Sequence, residues 1–493
     1  MMNLTAAINA ARSSITARSV ESAATAENIS NVNNPNFTRR QTEAVSVPGG
    51  GVLKVKISRA DDIAQFRQFL EVTSSSTRSQ VIVDGLRSLE RTIGDPETEM
   101  SPAALITKFQ NALQAYASIP HDPVVAENAI YTANNLAKGL NDATSVVQQT
   151  RAKADADIGK SVDKINLLLT RFHAANSDIV RGSGSPSELV SLLDERDSVL
   201  AQLSQELDIR TVSGKNNDLA VYAQGGAVLY EKQPRLVSFE PVSIYSPNTV
   251  GNQVFIDGVR VTGNPATMGM NSGRLSGLIE VRDTISITFQ NQLDEVARGL
   301  IEAFAETDQS AVPTLPDAAG LFSYTGGPAV PPTGTLVVGL AGQIFINPNV
   351  DSNVGGNVNL LRDGSISNPG NPAYTYNVTG AAGFSDRVSS LFDALSSDRT
   401  FDGNANLGVS QSLTAFSNSS ASWFESMRAN QTNDAEYKAT LLARSSQALS
   451  QSTGVNLDNE LALMMELERS YEASARLLST IDSMFSTLLA SMR

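Results

Sequence analysis

A chain of 493 residues is too long for one simple hydrophobic core, so two to four compact units are expected. Its 37 Lys and Arg against 51 Asp and Glu leave a net charge of −14, which argues against nucleic acid as a partner, because neutralising phosphates takes a basic surface. Cysteine is absent, which excludes disulfides, thiolate metal sites and cysteine nucleophiles together.

The first residues, MMNLTAAINAARSSITARSV, lack the basic and continuous apolar regions of a cleaved secretory signal. No run approaches the length needed to span a bilayer, so a soluble chain without membrane insertion is expected. Leu4, Ile8, Ala11 and Ile15 fall at helical spacing and predict a helix to about Ser30 with a narrow, weakly apolar stripe. Such a helix is marginal until it finds a partner. Asn28, Asn31, Asn33 and Asn34 crowd around Pro35 and Phe37 and read as a structural joint. Asn28 and Asn31 are expected to satisfy backbone groups at the helix end, Pro35 to forbid continuation, and Phe37 to anchor the outgoing strand. TRRQTEAVSV then reads as extended, PGGG (48–51) as a turn, and VLKVKISRA as a strand.

From about Asp61 to Leu207 the pattern is helical, with Ser101-Pro102 and Ser185-Pro186 as start signals. Long antiparallel helices with short breaks make a bundle. Alternation and Gly-Gly and Asn-Asn turns predict hairpins over 206–272, and helix returns at Gly273. Residues 311–380 hold 8 of the 19 prolines and 11 of the 34 glycines, which predicts an inserted β domain over 311–399. Helix resumes to a break at Gly454-Val455-Asn456. In the last helix Leu457, Leu461, Met464, Tyr471, Leu478, Ile481, Phe485 and Leu488 form a heptad-like seam. Its expected partner is the N-terminal helix, so the chain leaves from and returns to one place. The fold class is therefore multidomain and mainly α with inserted β: paired terminal coiled-coil helices, a long-helix bundle body and β-rich insertions. The expected units are 1–60 with 450–493; 61–205 with 273–310 and 400–449; 206–272; and 311–399.

Catalytic chemistry finds no support. His121 sits in a turn and His173 on a helix, and no zinc-binding histidine pair exists. RGSGSP (181–186) lacks the strand and the Lys-Ser/Thr ending of a phosphate loop. DADIG (155–159) starts like a calcium loop but has Asn166 at its twelfth position. DERD (194–197) reads as a solvated acidic face. No enzyme and no cofactor is expected.

AENISNVNNPNFTRRQTE and the closing STGVNLDNELALMMELERSYEASARLLSTIDSMFSTLLASM resemble the two end signatures of the bacterial flagellar axial proteins of rod, hook and junction. Asn36-Phe37 departs from the family's Gly-Tyr. The internal SGRLSGLIEVRDTISITFQNQLDEVARGL is similar to the Gly-Lys/Arg-Leu…Arg-Asp…Gln-Leu-Asp segment of the hook–filament junction members, as is GVNLDNEL. The resemblance implies a secreted structural protein of the extracellular flagellum, exported unfolded by the flagellar type III route. It implies polymerisation with copies of itself through the terminal helices, with hook protein below and the next junction protein above. It also implies an export chaperone at the C-terminal helix. A third hook-associated protein, a flagellin-like subunit, or an axis-displayed adhesin acting through 311–399 are the alternatives.

Overall fold

The structure, a computed structural model, describes residues 2–46, 53–93, 100–182, 185–263, 266 and 268–491. The turn expected at Pro48–Gly51 lies outside the described residues.

Helix α1 (Met2–Ser30) stops where the asparagines take over: Asn34 N donates to Asn31 O at 2.9 Å and Phe37 N to Asn34 O at 3.1 Å, two tight turns in succession. Strands β1 (Arg40–Ser46) and β2 (Leu53–Arg59) form an antiparallel hairpin whose register runs from Arg40↔Arg59 to Ser46↔Leu53.

Four long helices follow: α2 (Ile63–Ile93), α3 (Pro102–Ser118), α4 (Pro123–Arg181) and α5 (Pro186–Glu206). Their starts obey capping chemistry. Ser101 Oγ accepts from Ala104 N, Asp122 Oδ1 from Val124 N, and Ser185 with Glu188 forms a reciprocal capping box, each followed by proline in the first turn. The stretch read as one or two helices is a single helix of 59 residues, roughly 90 Å long at 1.5 Å per residue. Gly182, at φ 65°, ends it in a left-handed cap.

Strands β3 (Ile209–Ser213), β4 (Leu219–Ala223), β5 (Val228–Glu231) and β6 (Gln233–Pro234) make an antiparallel sheet in sequence order. Beside it lie β7 (Val237–Ser238), β8 (Phe255–Ile256) and β9 (Val259–Arg260). Helix α6 (Gly273–Glu280) continues through a π-helical turn (Val281–Ile285) into α7 (Ser286–Ala303).

The segment expected as an inserted β domain departs from that expectation. Between 311 and 397 only β10 (Phe322–Tyr324) and β11 (Ile344–Ile346) form a ladder, beside the isolated bridges Ala318↔Ala329 and Gly364↔Thr375, helices α8 (Leu360–Asp363) and α9 (Asp386–Ser396) and several single turns. The reason is local: Asn347, Asp351 and Asn371 each accept the N–H two residues ahead, and such Asx turns compete with ladder formation. Nor does the segment keep a core to itself. Leu321, Phe322, Leu340, Ile344, Val350 and Leu361 belong to the same buried cluster as α3 and α4. Phe109, Phe304 and Phe322 meet there at centroid distances of 5.2 to 5.6 Å.

Strands β12 (Asp398–Thr400) and β13 (Ser410–Ser412) lead into α10 (Leu413–Thr453), which packs along α2, and then α11 (Leu457–Ser491), which packs along α1. Among the described residues, no side chain of α1 or α11 belongs to the central apolar cluster. The fold is mainly α with small β insertions, and its terminal helices lie together beyond the core. No described helix is long and apolar enough to cross a membrane.

Candidate assembly interface and elbow

The two terminal helices run antiparallel. Ser14 Oγ meets Ser474 Oγ at 3.2 Å, Ser22 Oγ donates to Met464 Sδ at 3.4 Å, and Asn28 reaches Glu460. Because α1 offers mostly small side chains, the helices touch through Ala11, Ala17 and Ala24 and through hydroxyls rather than through interlocking leucines. Ala11 is buried, Ile8 and Ile15 are half-buried, and the side chains of Leu4 and Leu488 lie outside those described.

The seam expected on α11 is only partly the one that faces α1. Ile481 is buried and Met464 and Leu478 are half-buried, but Leu457, Leu461, Tyr471 and Phe485 are exposed. The most buried positions on α11 are Glu460, Leu467 and Ile481. With small residues opposite, α1 covers one narrow face. Leu461, Met465, Tyr471, Leu477, Met484, Phe485 and Leu489 stay exposed along the helix, to either side of the covered strip.

At the elbow the asparagine-rich turn does more than end a helix. Asn31 Nδ2 caps Glu27 O at 2.9 Å, as expected of it. Asn28 does not: its amide donates to Arg40 O and to Glu460 Oε2, both at 3.0 Å, and its oxygen accepts from Arg40 N at 2.7 Å. One buried side chain thus ties α1, the start of β1 and α11 together. Glu460, fully buried, also accepts from Arg39 Nε at 2.6 Å, and Arg39 N donates to Thr453 O at 2.8 Å. Phe37 is buried beneath the Arg40 guanidinium, 4.3 Å from its ring centroid. Pro35 is exposed, and Asn36 is not among the residues with positive φ, so the turn does not use it as a left-handed residue.

The acidic run on α5, read from sequence as a solvated face, is the seat of the hairpin. Arg40 and Arg59 are direct cross-strand partners, and like charges placed opposite repel. Asp194 stands between them, accepting from Arg40 Nη1 at 2.6 Å, Arg59 Nη1 at 3.1 Å and Thr38 Oγ1 at 2.5 Å, while Asp197 takes Arg59 Nη2 at 2.6 Å. Burial works against the charge on Arg59, but Asp197 and Asp194 outweigh it and hold its pKa above the ordinary value. Arg196 turns inward to Asn176 Oδ1 and Asn217 O.

The internal motif is an architectural node. Gly273 sits at φ 85°, where a Cβ would stand 2.5 Å from Leu207 Cα. Arg282, fully buried in the π-turn, donates to Asp155 Oδ1 at 2.6 Å, to Asn252 O at 2.8 Å and to both oxygens of Asp283. Arg151 joins from α4, donating to Arg282 O, Ser246 O and Thr249 O. Gln292 donates to Ala405 O and accepts from Ser420 Oγ. Asp294 accepts from Gly339 N and Ala341 N, both at 2.8 Å, and from Gln290. Burial pushes its carboxyl up to about 6, against those hydrogen bonds, which favour the charged form. Of the histidines, His173 packs beside Tyr230 with its hydroxyl at 3.2 Å, and His121 is exposed. Among the described residues no group of three or more acidic or histidine side chains is placed to hold a metal ion.

This arrangement, paired ends and a buried Arg-Asp node in a helical body, has relatives. The family model described as flagellar hook-associated protein FlgK helical domain matches residues 86–320, which includes the node. The model described as flagellar basal body rod FlgEFG protein C-terminal matches residues 446–491, which includes α11. Flagellar hook-associated protein 1 of Bacillus subtilis is 21% identical over 98% of both chains. The chain is thus similar to the flagellar hook-associated protein 1 family along nearly its whole length. The family member of Escherichia coli is 22% identical, over 66% of this chain and 60% of that protein. The hook junction protein FlgK of Burkholderia pseudomallei superposes with a TM-score of 0.42 at 21% identity, over 52% of this chain and 47% of that one. As a flagellar hook-associated protein the chain is a structural component of the flagellum and not an enzyme.

Proposed function

We propose that the chain is a subunit of the junction between hook and filament, outside the cell, and that it polymerises with copies of itself through its terminal helices. The observation that carries this reading is the apolar surface left open on α11. Leu461, Met465, Tyr471, Leu477, Met484, Phe485 and Leu489 are uncovered on a helix that already holds α1 along one narrow strip. Apolar surface of that length on a terminal helix stands ready for further helices, and heterologous contacts that do not close build a helical array.

In that reading 1–60 with 450–493 form the inner assembly unit, Leu4, Ile8, Ala11, Ile15 and the exposed α11 residues meet neighbouring copies, and the remaining residues form the outer body. Hook protein below and the next junction protein above are the axial partners. The same apolar surface, uncovered before assembly, suits an export chaperone. Deleting the chain from Leu457 onward tests the proposal. Cells should lose filaments and swimming while the truncated protein keeps a cooperatively folded helical body; a truncated protein that still supports swimming overturns it.

A further inference from the structure

The chain passes between the terminal-helix pair and the body twice, through 60–62 between β2 and α2 and through 454–456 between α10 and α11. Both passages lie outside any helix or strand, and both are pinned to one residue. Arg39 N donates to Thr453 O, and Arg39 O accepts from Ala60 N, each at 2.8 Å. Two pins at one point make a pivot. They leave the angle about it open, so a further contact must set that angle.

That contact is the seat on α5. Both strands of the hairpin pack on α1, and β2 packs on α5 as well. Toward the terminal helices the hairpin root is held by buried groups: Asn28 on the Arg40 backbone, Glu460 on Arg39 Nε, and Phe37 under the Arg40 guanidinium. Hairpin and helix pair therefore form one unit. Toward the body the root is held by Asp194, which takes Thr38, Arg40 and Arg59, by Asp197, which takes Arg59, and by Ser191 Oγ, 3.4 Å from Arg40 Nη2. Among the described residues no hairpin side chain enters the apolar cluster of the body, whereas Val199, Leu200 and Leu203 fix α5 within it.

We propose that this seat is a latch. Closed, it holds the terminal helices and their hairpin at one angle to the body; opened, it lets that unit swing as a whole about Arg39. A buried ion pair returns much of its attraction as desolvation, and opening the seat gives every charge in it back to water without breaking into the central cluster. The two arrangements therefore lie close in free energy, as polar contacts between units of one chain commonly do. Identical chains that take two angles can fill non-equivalent places in one array. The latch is a property of the single chain and stands whether or not the chain assembles as proposed above.

The absence of native cysteine makes a direct test available. Lys54 on the hairpin, Glu472 on α11 and Lys160 on α4 are exposed, and cysteines placed there in pairs carry spin labels on the purified full chain. In the parent chain each of the three distances should be single and narrow. With Asp194→Asn and Asp197→Asn together, the open share should rise roughly a hundredfold, enough to add a second distance to both pairs that include position 160. The distance between positions 54 and 472 should stay as it was. Arg59→Gln leaves α5 untouched and should act in the same direction, which keeps the test available if the double variant does not fold. Distances to position 160 that do not change overturn the latch. So does movement at position 54 without movement at 472, because the hairpin would then peel away alone.

Discussion

Asn28 on α1 donates a hydrogen bond of 3.0 Å to Glu460 on α11, across 432 residues of sequence. Both side chains are buried, and both reach the β1 entry: Asn28 through the Arg40 backbone and Glu460 through the Arg39 guanidinium. The register of the terminal pair and the direction of the hairpin are therefore fixed by one cluster.

Removing either member of that cluster should loosen the pair without harming the body. Asn28→Ala deletes three hydrogen bonds and leaves the Arg40 N–H without its acceptor, a cost of about 2 to 3 kcal/mol to the docked ends. Glu460→Ala should act in the same direction, and Glu460→Gln less strongly, because an amide oxygen still accepts from one donor. Amide exchange over α11 should accelerate in all three, while α4 exchanges at its original rate.

Asp194 should control how firmly the hairpin sits on the body. Asp194→Asn removes the charge that separates Arg40 from Arg59, and breaking a buried pair costs on the order of 3 kcal/mol. Trypsin cleavage after Arg40, Lys54, Lys56 and Arg59 should rise roughly a hundredfold if it follows the opening equilibrium. Cleavage unchanged from the parent chain contradicts this role.

The Arg-Asp node should carry body stability. Arg282→Met leaves Asp155, Asp283 and Asn252 O without their shared donor in a buried site, and the expected loss is about 3 to 5 kcal/mol. Arg282→Lys should recover only part of it, since a single ammonium cannot span three acceptors. Denaturant unfolding monitored at Trp423, on α10, reads this directly.

Asp294 should give the body a distinct pH response. Its carboxyl titrates at about 6 in the folded chain, above the ordinary value near 3.9 in the unfolded one, so the folded state holds the proton more tightly. Its contribution to stability therefore grows as pH falls through 6 and is complete below about 4, and is lost again as pH rises. Relative to Asp294→Asn, the parent should gain about 2 to 3 kcal/mol between pH 7.5 and pH 4. A stability difference that stays flat across that window contradicts the assignment.

The helical body was open to reading because its signals are local: Ser101, Ser185 and their prolines mark helix starts, and Gly454 marks the break before α11. What escaped was decided by tertiary partners. Asp194 and Asp197 have the spacing of a solvated helix face, and only the distant Arg40 and Arg59 make them a seat. Asn28 looks like any helix-end amide until Glu460, more than 400 positions away, is placed beside it. Leu457, Leu461, Tyr471 and Phe485 show heptad spacing, but spacing cannot say how narrow a strip a helix of small residues will cover. The density of proline and glycine in 311–380 signalled interruption correctly, yet Asx turns rather than strands use it, and the apolar residues between them fill the common core.

The central claim is that the terminal helices are the assembly element, and amide hydrogen exchange on the same chain, free and within isolated flagella, tests it most directly. The account predicts that α1 and α11 exchange much faster than α4 in the free protein and become as protected as α4 in flagella. Equal protection of α11 in both states would contradict it.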